Sequence, residues 1–169
     1  MNFEYRILNE TFADEIIKIQ DETFLTLGDN DLLRKNTREM FISCLRDPNI
    51  TIGAFYNNEL AGFAILYYPQ SQEEELAFLL QTPEIPVSES ANFKLCIVRE
   101  KYRGNSLQYE LGKRIYSQAQ KRGTAVLCAT VSPKNQFSRR NLIRLGYIYD
   151  RTLRKYGMER DLFFCRIIS

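Results

Sequence analysis

Two short stretches carry residue types from which an anion site can be built. The first is Tyr102-Arg103-Gly104-Asn105-Ser106-Leu107-Gln108-Tyr109. It follows the apolar run from Phe93 to Val98 and opens a long amphipathic segment near Ser106. A strand, a small-residue turn and a helix in that order aim several backbone N–H groups at one point. The first N–H groups of a helix lack internal partners and the helix dipole favours an anion there, so the turn predicts a cradle for a diphosphate. The second stretch is Val131-Ser132-Pro133-Lys134-Asn135-Gln136-Phe137-Ser138, again between an apolar run and a helical pattern. Each has a plainer alternative: a strand–turn–helix without a ligand, and Asn135 as a simple helix cap.

Composition removes several other chemistries. The 169-residue chain contains no histidine, which excludes histidine metal sites, serine–histidine triads and histidine general bases. The four cysteines, Cys44, Cys96, Cys128 and Cys165, are far apart. Wide spacing favours buried free thiols over a disulfide framework or a zinc site, so no metal is expected. Cys96 as a nucleophile is disfavoured by its apolar setting. Gly104 and Gly112-Lys113 have the wrong spacing for a Walker-type phosphate loop. No apolar run approaches the roughly 20 residues that span a bilayer, and no secretory signal opens the chain, so a cytoplasmic location and no membrane partner are expected.

Charge is divided unevenly. Residues 1–98 carry 7 basic and 16 acidic side chains, a net −9, and residues 99–169 carry 16 basic and 5 acidic ones, a net +11. The basic half suits an anionic partner, and the alternative is two differently solvated faces. A nucleic acid is disfavoured: Arg139, Arg140, Arg144, Arg151, Arg154 and Lys155 fit no recognition motif and alternate between helix and strand.

The elements that must position these residues follow from periodicity. Strands are predicted over Phe3–Leu8, Ile50–Tyr56, Leu60–Tyr68, Phe93–Val98, Ala125–Val131, Tyr147–Leu153 and Leu162–Ile168. Helical patterns begin at Thr11, with Asp14 completing a capping box, and run from Leu33 to Leu45 before Asp47-Pro48. Ser71 with Glu74 suggests a short helix through Leu80, followed by an irregular loop at Thr82-Pro83 and Ile85-Pro86. Leu107, Leu111, Ile115 and Ala119 make one face of a long helix, and a last helix is predicted from Ser132-Pro133 to Leu145. Asn57-Asn58-Glu59 predicts a hairpin, and Gly62 a bulge or close backbone approach. Nothing divides the chain, so residues 1–169 read as a single domain. The class is mixed α/β: a twisted sheet of about seven strands, largely antiparallel with one parallel pair, and helices on both faces.

In this order the residues resemble the GNAT superfamily of acyl-CoA-dependent N-acyltransferases, most closely from Phe93 to Tyr147. Arg103 and Gly104 match the family's diphosphate turn, while Ser106 and Gln108 stand where relatives usually have glycines. The resemblance implies acetyl-CoA as co-substrate. It assigns the diphosphate to Arg103, Gly104, Asn105, Ser106, Leu107, Gln108 and Tyr109. It assigns the pantetheine arm to Asn135 and Ser138, and the thioester to the backbone of Cys96, Ile97 and Val98, where the fourth and fifth strands splay apart. The implied reaction is acetyl transfer to a primary amine of a small molecule or peptide by direct attack in a ternary complex. A non-catalytic acyl-CoA-binding module is the alternative. Many relatives place a tyrosine acid where this chain has Leu142, which cannot donate a proton. Tyr147, Tyr149 and Tyr156 lie near it in sequence, and Glu89 precedes the fourth strand; none is assigned a catalytic role. Glu73, Glu74, Glu75, Glu84 and Glu89 fall in or beside the loop that shapes the acceptor site, which predicts a cationic acceptor. Relatives often form homodimers, and no sequence feature shows which surface would do so.

Overall fold

A computed structural model describes residues 1–82 and 87–168. Seven strands form one sheet: β1 (Glu4–Ile7), β2 (Ile50–Tyr56), β3 (Glu59–Tyr67), β4 (Ser90–Val98), β5 (Val126–Val131), β6 (Ile148–Lys155) and β7 (Met158–Arg166). Their spatial order is β1-β2-β3-β4-β5-β7-β6. Only β4 and β5 run parallel. Among the described residues the α-helices are α1 (Ala13–Thr26), α2 (Arg38–Cys44), α3 (Leu107–Lys121) and α4 (Gln136–Arg144).

Local chemistry explains the connections. Asn57 and Asn58 adopt φ of 47° and 63°, the left-handed pair that a tight hairpin between twisted strands requires. The α3 stripe Leu107, Leu111, Ile115 and Ala119 is buried and packs on one sheet face with Ile52, Ala54, Leu66 and Ala91. On the other face, Ile16, Ile19, Phe41 and Cys44 of α1 and α2 pack with Phe63, Ile65, Leu95 and Ile97. A fully buried aliphatic or aromatic side chain contributes roughly 1.5–3 kcal/mol, so these two layers hold the sheet in place.

Two irregularities sit beside the strand that matters most. Opposite Ile65 and Leu66 of β3 stand Leu95 and Phe93 of β4, leaving Lys94 as the extra residue of a bulge. A second bulge skips Ala61 next to Gly62. A Cβ on Gly62 would lie 2.7 Å from the Ile97 carbonyl oxygen and 3.1 Å from Val98 Cα. Gly62 therefore allows the close backbone approach anticipated from its place inside a strand.

Several expected boundaries differ. Helix α1 is entered through a 3-10 turn, Glu10–Phe12, capped by Asn9, whose Oδ1 accepts from Thr11 N. Asp14 forms no capping box and pairs with Arg38 at 2.7 Å. Helix α2 starts late because the Thr37 hydroxyl caps it, leaving Leu33 outside. After Ser71 there is only a turn and a 3-10 segment, Leu76–Leu79, with no α-helix. The Glu74 carboxylate accepts instead from Tyr67 Oη at 2.7 Å and Gln70 N at 3.2 Å. Helix α4 begins after Asn135 rather than at Ser132-Pro133.

Candidate active site

Strands β4 and β5 pair over three positions only: Ser90 with Val126, Ala91 with Leu127, and Asn92 with Cys128. Beyond Asn92 they diverge, because β4 stays registered on β3 through Val98 while β5 follows β7. From Phe93 to Val98 the β5-facing backbone groups have no strand partner. Unpaired strand edges seek hydrogen bonds, so this gap has the backbone groups and shape to take an extended ligand. Two cavities meet there, sharing walls at Cys96, Gln108, Asn135, Ser138 and Asn141.

The larger cavity, about 620 Å³, runs to the head of α3. Gly104 has φ +84° and open space where a Cβ would be, and Ser106 has φ +58°. These left-handed residues turn the chain into α3, whose first residues, Leu107, Gln108 and Tyr109, line the cavity. Arg103, Arg140 and Arg144 line the same cavity and make no ion pair among the described residues. Arg144 stacks 3.7 Å over the Tyr109 ring. The donors, the cations and the room fit a diphosphate. Ser106 makes no capping bond through its side chain. A left-handed non-glycine residue costs about 1 kcal/mol, so Ser106→Gly is expected to raise the melting temperature by a few degrees, read by calorimetry.

The turn is braced from behind. Glu59, at the start of β3, accepts from Tyr102 Oη at 2.8 Å and pairs with Arg99 at 2.8 Å and Lys101 at 2.7 Å. Lys101, then Tyr102, then Arg99 hold the Glu59 carboxyl down at about 2. A depressed folded-state value stabilises the protein above the ordinary value of 4.5 and loses that effect as pH falls toward about 2. In acid melts, wild type is expected to lose its advantage over Glu59→Gln within that window.

The structure lines the larger cavity with Cys96, Ile97, Val98, Arg103, Gly104, Ser106, Leu107, Gln108, Tyr109, Asn135 and Ser138. Asn105 is not on it; its side chain turns back to the Tyr102 carbonyl at 2.9 Å. Asn135 caps α4, with Oδ1 accepting from Ser138 N at 3.1 Å, and that bond commits its carbonyl to the helix. Burial pushes the Cys96 thiol up to about 12, so it is not a ready nucleophile. Among the described residues no group of three or more Cys, Asp or Glu side chains could hold a metal ion.

The smaller cavity, about 300 Å³, holds the charge that sequence reasoning missed. Arg34, Lys94, Lys155 and Arg160 line it, against the carboxylates of Glu73 and Glu74. The carboxylates expected to favour a cationic acceptor are therefore not alone on this wall. Glu75 and Glu89 are not on the cavity wall, Glu84 lies outside the described residues, and Glu74 is engaged by Tyr67 and Gln70. Burial, with Arg34 adding repulsion, holds Lys94 below the ordinary lysine value. Burial likewise lowers Arg160. A signal was present: Arg160 shares strand parity with buried Leu162 and Phe164, and Lys94 interrupts an apolar run.

The tyrosines separate cleanly. Tyr147 is buried in the core beside Phe93, outside both cavities. Tyr149 is exposed and bonds Thr152 at 2.7 Å. Tyr156 lines the smaller cavity with Arg34 stacked 3.7 Å over its ring, and burial raises its hydroxyl above the ordinary value. Leu142 is buried and walls the same cavity. Of the basic residues that fit no nucleic-acid motif, Arg139 pairs with Asp161 at 2.6 Å, Arg140 and Arg144 line the larger cavity, and Lys155 lines the smaller one. No helix among the described residues is long and apolar enough to cross a membrane.

No family model matches the chain, and no curated protein matches it in sequence. Many solved structures match its fold. The protein yncA of Salmonella typhimurium, solved with its cofactor acetyl-CoA, superimposes with a TM-score of 0.75 at 14% identity, over 100% of this chain and 96% of that one. An acetyltransferase of the GNAT family from Streptococcus pneumoniae gives 0.74 at 19% identity, over 99% and 100%. The ribosomal-protein-S18-alanine N-acetyltransferase of Escherichia coli gives 0.74 at 17% identity, over 99% and 96%. The mixed seven-stranded sheet with its single parallel pair is the fold of the GNAT superfamily.

Proposed function

We propose that this chain, built on the GNAT fold, is an N-acetyltransferase that binds acetyl-CoA in the larger cavity and an amine acceptor in the smaller one. The observation that carries this reading is the splay of β4 from β5 beside a left-handed Gly104–Ser106 turn. Acetyl-CoA supplies the activated acyl group: the amine nitrogen bonds to the acetyl carbon, the carbon–sulfur bond breaks, and the proton lost by the nitrogen ends on the leaving sulfur as free thiol.

The chain's own contributions follow from its geometry. The N–H groups at the head of α3, with Arg103, Arg140 and Arg144, hold a diphosphate by charge-assisted hydrogen bonds. The unpaired edge of β4 offers main-chain donors between Phe93 and Val98, and a fixed donor aimed at a carbonyl oxygen favours charge developing there. The shared walls of the two cavities bring two reactants together, which removes the entropy cost of their encounter from the reaction step. Tyr156 is the tyrosine placed to hold or pass a proton on the acceptor side.

Release of free thiol from acetyl-CoA, measured across a panel of amines, tests the proposal. Turnover with at least one amine is expected. CoA binding without turnover on any amine would instead favour a binding module of the same fold.

A further inference from the structure

We infer that the amine accepted by this protein also carries a carboxylate, which Arg160 binds from inside the smaller cavity. The inference rests on the transferase reading and gives that site its substrate class, a small amino carboxylate.

Among the described residues, five buried side-chain polar atoms have no hydrogen-bond partner: Asn92 Oδ1, Arg99 Nε, Tyr147 Oη, Arg151 Nε and Arg160 Nη1. Two of these residues, Asn92 and Arg160, line the smaller cavity, and the other three do not. Arg160 is 3% exposed. Its other terminal nitrogen, Nη2, meets only the Met158 sulfur, at 3.0 Å, and a thioether is a weak acceptor. Asp29 and Asp31 are the carboxylates that act on Arg160, but neither comes within ion-pairing distance, and Asp29 is bonded to Lys134 at 3.0 Å. A buried guanidinium without a counter-ion is costly, and a bound anion removes that cost.

Asn92 supplies the complementary half. Its Nδ2 donates to the Glu74 carbonyl at 2.8 Å, which fixes Oδ1 as the unused acceptor. It stands at the last paired position of β4 and β5, where the strands part. One unused cationic donor and one unused neutral acceptor in a single cavity match a molecule bearing both a carboxylate and an amine. Arg34 and Lys94 add positive charge on the same wall, and neither makes an ion pair among the described residues. A polyamine would bring further cations against four that are already there. A volume of about 300 Å³ suits a small molecule.

The test compares amino acids with their decarboxylated amines and their amides, using thiol release from acetyl-CoA. Parent amino acids are expected to exceed both counterparts in kcat/KM by about 10²-fold or more, as a site built around a buried polar group discriminates strongly. Arg160→Met is expected to raise KM for the amino acid and shrink that preference below tenfold. Should Arg160→Met fail to fold, Lys94→Met and Arg34→Gln are expected to shrink it by smaller factors. A second readout needs no turnover: amino acids should raise the melting temperature of wild type and not that of Arg160→Met. Equal turnover of parents and decarboxylated amines overturns the carboxylate assignment and leaves acetyl transfer standing. Should no amine be turned over, the transferase reading falls and the melts decide the carboxylate site: a shift abolished in Arg160→Met supports it, and no shift overturns it.

Discussion

Gly104→Glu is expected to abolish CoA binding in a protein that still folds. The position has φ +84° and nothing within 4 Å of where a Cβ would stand, so the new side chain meets open cavity rather than packed neighbours. Left-handed backbone in a non-glycine residue costs about 1 kcal/mol of stability. The added carboxylate enters the cavity proposed to seat a diphosphate. Two like charges about 4 Å apart at an effective dielectric near 20 repel by about 4 kcal/mol, close to a 10³-fold loss of affinity. Gly104→Ala carries the same backbone strain without the charge and should lose no more than about tenfold. Calorimetric titration with CoA, alongside thermal melts of both variants, checks this. A folded Gly104→Glu protein with wild-type affinity would remove the diphosphate assignment.

The second large effect is on the fold. Gly62→Val is expected to destabilise by about 3 kcal/mol or more, because overpacking against backbone has no rotamer to escape into. Its Cβ would press on the Ile97 carbonyl oxygen and Val98 Cα, both main-chain atoms of β4. Gly53 makes the contrast: a Cβ there meets the Leu60 and Leu8 methyl groups, at 2.7 and 2.9 Å, and side-chain ends can move. Gly53→Ala should therefore cost clearly less than Gly62→Ala in urea unfolding. Comparable losses would show that β3 and β4 are not held at the separation described.

The parts legible in the sequence are those governed by local rules. The hairpin at Asn57-Asn58, the four-residue stripe of α3 and the Gly104 turn each announce a backbone requirement through residues adjacent in the chain. The helix starts were less legible, since Asn9, Thr37 and Asn135 compete with neighbouring capping residues and only the three-dimensional context selects among them. The smaller cavity was not legible. Arg34, Lys94 and the β6–β7 hairpin that carries Tyr156 and Arg160 are far apart in the chain and meet only in the folded protein. Bulk charge is a coarse guide for a related reason. An excess of carboxylates in residues 1–98 says nothing about which are already engaged, and Glu59 and Glu74 are bound by their own neighbours.

The three-residue seam between β4 and β5 has a mechanical meaning. It joins a four-stranded leaf to a three-stranded one along a line shorter than either, so the sheet is stiff within each leaf and compliant between them. Anything lying in the fork bonds to both leaves and splints them. Occupancy and rigidity are then expected to rise together, read as slower amide exchange along that crease once a ligand is bound.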